Sequence, residues 1–174
     1  DIGQLNEAEL FTRKAIKINP NFEDAYYNLG NLLKDLGKLQ EAELLLRKAI
    51  KIKPNYSEAY SNLGLILQDL GKLKEAELSL REAIKIKPYI AACHYNLGNV
   101  LKELGKLQEA ELFYRKAIDI KPDLAVAYSN LGNVLKELGK LQEAELFLRK
   151  AIKHNPNFAQ AFFNLSIIEL LKGD

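Results

Sequence analysis

Cys93 and His94 are neighbours in sequence and include the chain's single thiol and one of its two imidazoles. A nucleophile and its base must come within hydrogen-bond reach of each other. Successive side chains on a helix diverge by about 100°, so this pair cannot meet, and His94 is read as a buried, packed imidazole. His154 stands alone, no Gly-rich phosphate loop is present, and one cysteine allows no intramolecular disulfide. The pattern therefore implies no catalytic residue, no metal and no cofactor, and the chain does not read as an enzyme. The residues that do form a pattern are amides. Asn28, Asn62, Asn96, Asn130 and Asn164 recur every 34 residues, and Asn31, Asn99 and Asn133 form a second, partial series. An asparagine side chain carries a donor pair and an acceptor, which together match one peptide unit of an extended chain whatever its side chain. Reading of a polypeptide backbone is the chemistry such a ladder suits.

The elements that position these amides share the 34-residue period. Residues 96–113, NLGNVLKELGKLQEAELF, recur unchanged at 130–147, and Pro20, Pro54, Pro88, Pro122 and Pro156 are the only prolines. The ten glycines fall into two series, one at 30, 64, 98 and 132, the other at 3, 37, 71, 105, 139 and 173. A fixed period of this size marks a repeat array, and a solenoid's core stays continuous at any length because it grows by stacking. The units are 23–56, 57–90, 91–124 and 125–158, with half units at 1–22 and 159–174. Within 91–124, His94, Leu97, Leu101 and Leu104 have helical spacing, and Ala110, Phe113, Tyr114, Ala117, Ile118 and Ile120 mark a second helix beginning near Leu107. Pro122 ends it, since a proline pushes the preceding residue out of the helical region. Each unit is thus helix A, a tight turn at glycine, helix B, and a proline-marked turn.

Helix A should press on its own helix B at Gly98, with Ala110 and Ala117 on the facing side. Acid-first pairs four apart (Glu43 and Arg47, Glu77 and Arg81, Glu111 and Arg115, Glu145 and Arg149) support helix B locally. They are expected on a solvated face. Opposite the core residues Leu97 and Leu101 lie Ala92, Tyr95, Asn96, Asn99, Lys102 and Glu103. Translation by 34 gives every unit the same kind of face. Lys34, Lys102 and Lys136 lie beside Asp35, Glu103 and Glu137, so charge there largely offsets. Helices pack about 8–10 Å apart and an extended chain advances about 3.3–3.6 Å per residue, so one asparagine would meet a bound backbone roughly every third residue. Tyr27, Ser61, Tyr95, Ser129 and Phe163 alternate large and small, which makes Ser61 and Ser129 candidate recesses for apolar or aromatic anchors.

The aromatic at Tyr60, Leu63-Gly64, Gly71, Ala76, Ala83 and Pro88, with their equivalents in every full unit, resemble the tetratricopeptide repeat family. The resemblance covers essentially the whole chain. One family feature is muted, since Leu39, Leu73, Leu107 and Leu141 stand where an aromatic is usual. The family implies an all-α, right-handed α-solenoid, a superhelix of 34-residue helix–turn–helix repeats whose helices A line the concave face. The asparagine ladder resembles the array of O-linked N-acetylglucosamine transferase and its bacterial relatives, which implies peptide-backbone reading in the groove. The expected function is a scaffold that binds an extended peptide or protein segment. Its expected contacts are Asn28, Asn31, Asn62, Asn96, Asn99, Asn130, Asn133 and Asn164 with Tyr27, Tyr95, Lys34, Lys102 and Lys136.

Other readings fit less well. The carboxylate clamp of co-chaperone members needs lysine where Tyr27 and Asn99 stand and arginine where Glu103 stands; only Asn31 and Asn62 match. RNA binding, as in pentatricopeptide arrays, is the runner-up from another class. Those repeats are typically 35 residues long, and RNA binding usually wants a basic face. Here the balance is 25 basic against 23 acidic residues, a net charge of +2, which argues against nucleic acid or a membrane surface as partner. Nothing resembles a signal peptide or a membrane span, and a cytoplasmic location is expected. The chain begins at Asp1, partway through a repeat, and reads as a piece of something longer. NLSIIELLKGD, at the other end, resembles the terminal repeat of bacterial arrays fused to glycosyltransferase-like domains, which would make the array a substrate-recruiting arm. There Ser166 replaces the packing glycine, Ile167 a face asparagine, and Leu170-Leu171 the Lys-Glu pair. Phe163, Ile167, Leu170 and Leu171 should stay largely uncovered, favouring weak self-association through Ala159–Lys172.

Overall fold

A computed structural model describes residues 2–173, with side chains from residue 5 onward. Its described residues form ten α-helices: α1 (Ile2–Ile18), α2 (Glu23–Asp35), α3 (Leu39–Ile52), α4 (Ser57–Asp69), α5 (Leu73–Ile86), α6 (Ala91–Glu103), α7 (Leu107–Ile120), α8 (Ala125–Glu137), α9 (Leu141–His154) and α10 (Ala159–Lys172). The fold is an all-α helical repeat. The chain divides into two compact units, Asp1–Pro88 with α1 to α5 and Tyr89–Asp174 with α6 to α10. Within each unit consecutive helices pack on one another, and helices A also meet directly, α2 with α4 and α8 with α10.

The turns follow from glycine and proline chemistry. After α6, Gly105 takes φ 74°, and the Lys106 N–H returns to the Leu101 carbonyl at 2.9 Å while the Gly105 N–H reaches Lys102 at 2.9 Å. This six-to-one closure satisfies carbonyls that the helix end leaves open, and it needs a residue tolerant of positive φ. At the other boundary, the residue before each proline leaves the helical region; Lys121, before Pro122, has φ −130° and ψ 89°.

The interior of each unit is built from small residues set against large ones. Gly98 permits α6 to approach α7 so closely that an added Cβ would lie 2.7 Å from Cε1 of Tyr114. Leu46 and Leu148 stand in the same relation to Gly30 and Gly132. The expected alanines, Ala110 and Ala117, are fully buried on α7, but the group that fills the space over Gly98 is the Tyr114 ring. His94 is buried and stacks on Phe113 at 5.9 Å, which places that imidazole in the core.

The acid-first pairs of helix B are more than a solvated face. Glu43 and Glu77 are buried, and the carboxylates of Glu43 and Glu111 also reach beyond their own helices. In the first unit Glu43 takes Arg47 at 3.0 Å and Lys72 at 2.8 Å, while Arg47 continues to Glu75 at 2.5 Å. In the second unit Glu111 takes Arg115 at 2.9 Å and Lys140 at 2.8 Å, and Arg115 continues to Glu143 at 2.7 Å. The sequence spacing revealed only the within-helix half of this lattice. The other half requires the repeat translation, which sets the turn lysine of one repeat over the glutamate of the repeat before it. Burial pushes the Glu43 and Glu111 carboxyls up, but hydrogen bonds from lysine and arginine outweigh it and hold both below the ordinary glutamate range.

Helix α10 adapts the same lattice to a different sequence. Lys172 reaches Glu145 at 2.9 Å and Arg149 reaches Glu169 at 3.1 Å, so the two charges standing where leucines recur elsewhere are used in ion pairs. Leu165 and Ile168 are buried, whereas Phe163, Leu170 and Leu171 are exposed at 61%, 76% and 59%. Phe162 is half exposed, and Ile167 is partly covered.

Candidate peptide-binding face

On the first unit, Asn62 of α4 donates from Nδ2 to the Tyr27 hydroxyl at 3.2 Å and to Asn31 Oδ1 at 2.7 Å, both on α2. On the second unit, Asn130 of α8 donates from Nδ2 to the Tyr95 hydroxyl at 3.2 Å and to Asn99 Oδ1 at 3.0 Å, both on α6. The two sets are equivalent under the repeat. Helical spacing explains the grouping, since positions four apart share a face: Tyr27 with Asn31, Tyr95 with Asn99. The tyrosine sits one residue before the ladder position, and its length carries the hydroxyl across to the next helix A.

These bonds fix the polarity of two ladder amides, Asn62 and Asn130. The sequence suggests that each asparagine offers a donor and an acceptor to a bound chain. In the structure the Nδ2 of Asn62 and of Asn130 serves protein acceptors, and the side-chain carbonyl is the atom not used by any described hydrogen bond. The arrangement offers acceptors, suited to peptide N–H groups.

The remaining predicted residues fall into place as follows. Asn28 is exposed, Asn96 partly buried, and Lys102 and Lys136 partly buried. Lys34 lies 3.6 Å from Asp35, the offsetting of charge expected there. Asn164 is 4% exposed, with its Oδ1 accepting from Gln160 at 3.0 Å, and so is drawn inward. Ser129 is 1% exposed, which makes it a closed position rather than an open recess; Ser61 is partly buried.

Two tyrosines that touch these residues are not evident from the ladder. Tyr114, on helix B, donates its hydroxyl to Asn99 Oδ1 at 2.7 Å, and its ring centroid lies 6.0 Å from that of Tyr95. Its burial, with Tyr95 alongside, holds the phenol well above its ordinary pKa. Tyr56 packs on Tyr27 at 5.0 Å and donates to Asp24 at 2.8 Å, and burial with that carboxylate raises its pKa likewise. One signal for Tyr114 was present in sequence: it replaces the leucine found at 46, 80 and 148.

A cleft of about 490 Å3 lies elsewhere on the second unit, lined by Arg115, Ile118, Asp119, Pro122, Tyr128, Phe147 and Lys150. Arg115 and Lys150 both stand over the Phe147 ring, at 5.0 and 5.1 Å. Among the described residues no group of three or more His, Cys, Asp or Glu could hold a metal ion, and no helix is long and apolar enough to cross a membrane.

Comparison with known proteins bears on this geometry. A family model described as TPR repeat matches residues 30–71 and 98–139, and two described as tetratricopeptide repeat match 57–89 with 125–158, and 11–43. The chain carries tetratricopeptide repeats. No curated protein matches it. Among solved structures, that of MamA is 28% identical, with a TM-score of 0.85 over 91% of this chain and 92% of that one. That of YrrB, described as a TPR protein with an unusual peptide-binding site, is 25% identical, with a TM-score of 0.81 over 93% of this chain and 84% of that one. PilF of Pseudomonas aeruginosa is 25% identical, with a TM-score of 0.78 over 86% and 68% of the two chains. The matched repeats include the turn glycines 37, 71, 105 and 139 and all five prolines. The likeness to glycosyltransferase-linked arrays rests on the asparagine ladder and the NLSIIELLKGD run alone.

Proposed function

We propose that these tetratricopeptide repeats form a protein-interaction scaffold that binds an extended peptide segment along helices A. The observation that carries this reading is the repeated amide network. Asn62 and Asn130 are tied by their nitrogens to a tyrosine and an asparagine on the preceding helix A, and the side-chain carbonyl of each is left for a ligand. Such preorganisation lowers the entropic cost of binding, because the amide does not have to be ordered by the ligand. The face offers hydrogen-bond acceptors and offset charges, which suit a peptide backbone better than a phosphate chain. A peptide-binding site is described for YrrB, whose fold this chain shares over most of its length, and that supports the same class of partner.

The test is affinity for a peptide selected against the full chain from a library of extended sequences. Each hydrogen bond lost is worth about 0.5–1.5 kcal/mol, so Asn62→Ala with Asn130→Ala should weaken binding roughly 5-fold to 100-fold if both are used. Unchanged affinity in a folded double variant would remove this reading. Salt-dependent binding of single-stranded RNA with no peptide binding would replace it with the nucleic-acid reading.

A further inference from the structure

The chain contains three versions of the same amide register, and they differ in how many tyrosines support them. In the α8/α10 register Ser129 stands in place of Tyr95, and Leu148 in place of Tyr114. There Ser129 Oγ, Asn133 Oδ1 and Asn164 Nδ2 are all buried without a hydrogen-bond partner. In the α2/α4 register Tyr27 is present and Leu46 stands in place of Tyr114; the Asn62 nitrogen is bonded, and Asn31 Oδ1 accepts from Asn62. In the α6/α8 register both tyrosines are present. Asn130 is bonded to Tyr95 and Asn99, and Asn99 Oδ1 accepts a second bond from the fully buried Tyr114. The helix A asparagine and the ladder asparagine are the same in all three. What varies with closure of the network is the number of phenols, none, one and two.

We propose that Tyr114 is a positioning residue that makes the Asn99–Asn130 register the most rigid and tightest-binding part of the peptide face. This deepens the peptide-binding reading and rests on it. An amide held at one end only can turn over, exchanging its acceptor for its donor. With Tyr114 donating to it, Asn99 must present oxygen inward, and this obliges Asn130 to turn its nitrogen toward Asn99 and its carbonyl away. Tyr114 itself cannot move aside, because its ring is pressed against the backbone at Gly98. The orientation of the ladder carbonyl on α8 is thus set from the core of the unit, through a residue on helix B that has no place on the binding face. Leu46 gives the first unit no equivalent, so Asn62 presents the same group with less constraint.

Two measurements on the full chain test this. The first needs no peptide: side-chain amide hydrogen exchange of Asn99 and Asn130, followed by NMR, in the wild type, in Tyr114→Phe and in Leu46→Tyr. Tyr114→Phe keeps the ring and should speed exchange at Asn130 about tenfold, the equivalent of roughly one lost hydrogen bond. Exchange at Asn62 should be unchanged by it. Leu46→Tyr should slow exchange at Asn62; where that variant fails to fold, Tyr114→Phe decides alone. The second is affinity for the selected peptide, expected to fall roughly 5-fold to 10-fold in Tyr114→Phe. Unaltered amide exchange in Tyr114→Phe overturns the proposal. So does faster exchange with unaltered affinity for a peptide that Asn130→Ala weakens. If Asn62→Ala with Asn130→Ala leaves affinity intact, the peptide reading itself fails, and the exchange arm still reports whether Tyr114 holds the register.

Discussion

Replacing Gly98 by alanine tests whether the core and the binding face are coupled through Tyr114. The new Cβ would lie 2.7, 2.8 and 3.1 Å from Cε1, Cδ1 and Cζ of the Tyr114 ring, distances at which the ring has to move. At Gly30 the equivalent methyl meets Leu46 at 3.0 Å, at the branched end of a side chain with other rotamers available. Both substitutions gain roughly 1 kcal/mol of helix propensity. At Gly30 a modest repacking cost offsets that gain, and the variant should be near neutral. At Gly98 overpacking against a rigid ring costs about 1–3 kcal/mol. Displacing the ring also loses the Tyr114–Asn99 hydrogen bond, about 0.5–1.5 kcal/mol more. Gly98→Ala should therefore be less stable than Gly30→Ala by roughly 0.5–3.5 kcal/mol, read as the difference in urea-unfolding free energy. It should also weaken peptide binding, although Gly98 lies off the face. Equal stability of the two variants, or a destabilised Gly98→Ala with full peptide affinity, would refute the coupling.

Further predictions concern the charge lattice and the last helix. The folded pKa values of Glu43 and Glu111 are depressed, so their contribution to stability is present above the unfolded glutamate pKa, about 4.3, and is lost as pH falls through the lower folded values. Thermal unfolding monitored from pH 6 downward should show the midpoint falling once pH drops below about 4.3, with a shallower fall in Glu111→Gln; a midpoint independent of pH in this window would contradict the lattice. Leu170→Glu with Leu171→Glu, both exposed on α10, should shift any concentration-dependent association toward monomer in sedimentation velocity. An exposed apolar patch of this kind favours association, and a wild type that stays monomeric at high concentration would show that the patch does not drive it.

The repeat, the helix starts and the turn chemistry were legible because each depends on residue types with strong local preferences. Glycine at 105 and proline at 122 determine turn and boundary whatever packs around them, and a 34-residue period copies both. The candidate face was legible only as a list of residues sharing one side of helix A. Periodicity places Asn62 and Asn130 on that side but cannot orient an amide, so the commitment of Nδ2 to Tyr27 and Tyr95 emerged only in three dimensions. Ser129 misled for a related reason. A small residue among large ones suggests a recess, but helix approach closes over it, leaving it 1% exposed. Along one helix the arginine four residues on is the one partner visible for the glutamates of helix B, which points them to solvent; Lys72 and Lys140 come from the following repeats.

Repetition also explains where individuality can enter such a molecule. A change at a position that sets a turn or a close helix approach must satisfy the same geometry in each repeat, which is why the glycines and prolines hold their places. A change confined to one cell of the array is free. Tyr114 for leucine adds one hydroxyl beneath Asn99 and strengthens one register. Ser129 for tyrosine replaces the long phenol by a short hydroxyl, and three polar atoms, its own Oγ among them, are unpaired in another. Neither alters the path of the backbone: α6, α7, α8 and α9 keep the lengths of their counterparts α2, α3, α4 and α5. Within a common scaffold, then, the strength of each amide register is set by single side chains on helix A and just beneath it. A Leu148→Tyr, Ser129→Tyr double variant carries this argument to its end. It should supply the two phenols missing from the α8/α10 register, give Asn164 and Asn133 partners, and raise the unfolding midpoint, since each buried polar group left unpaired costs about 1–3 kcal/mol. A folded double variant with no gain in stability over Leu148→Tyr and Ser129→Tyr taken singly would show that the registers are not built from interchangeable parts.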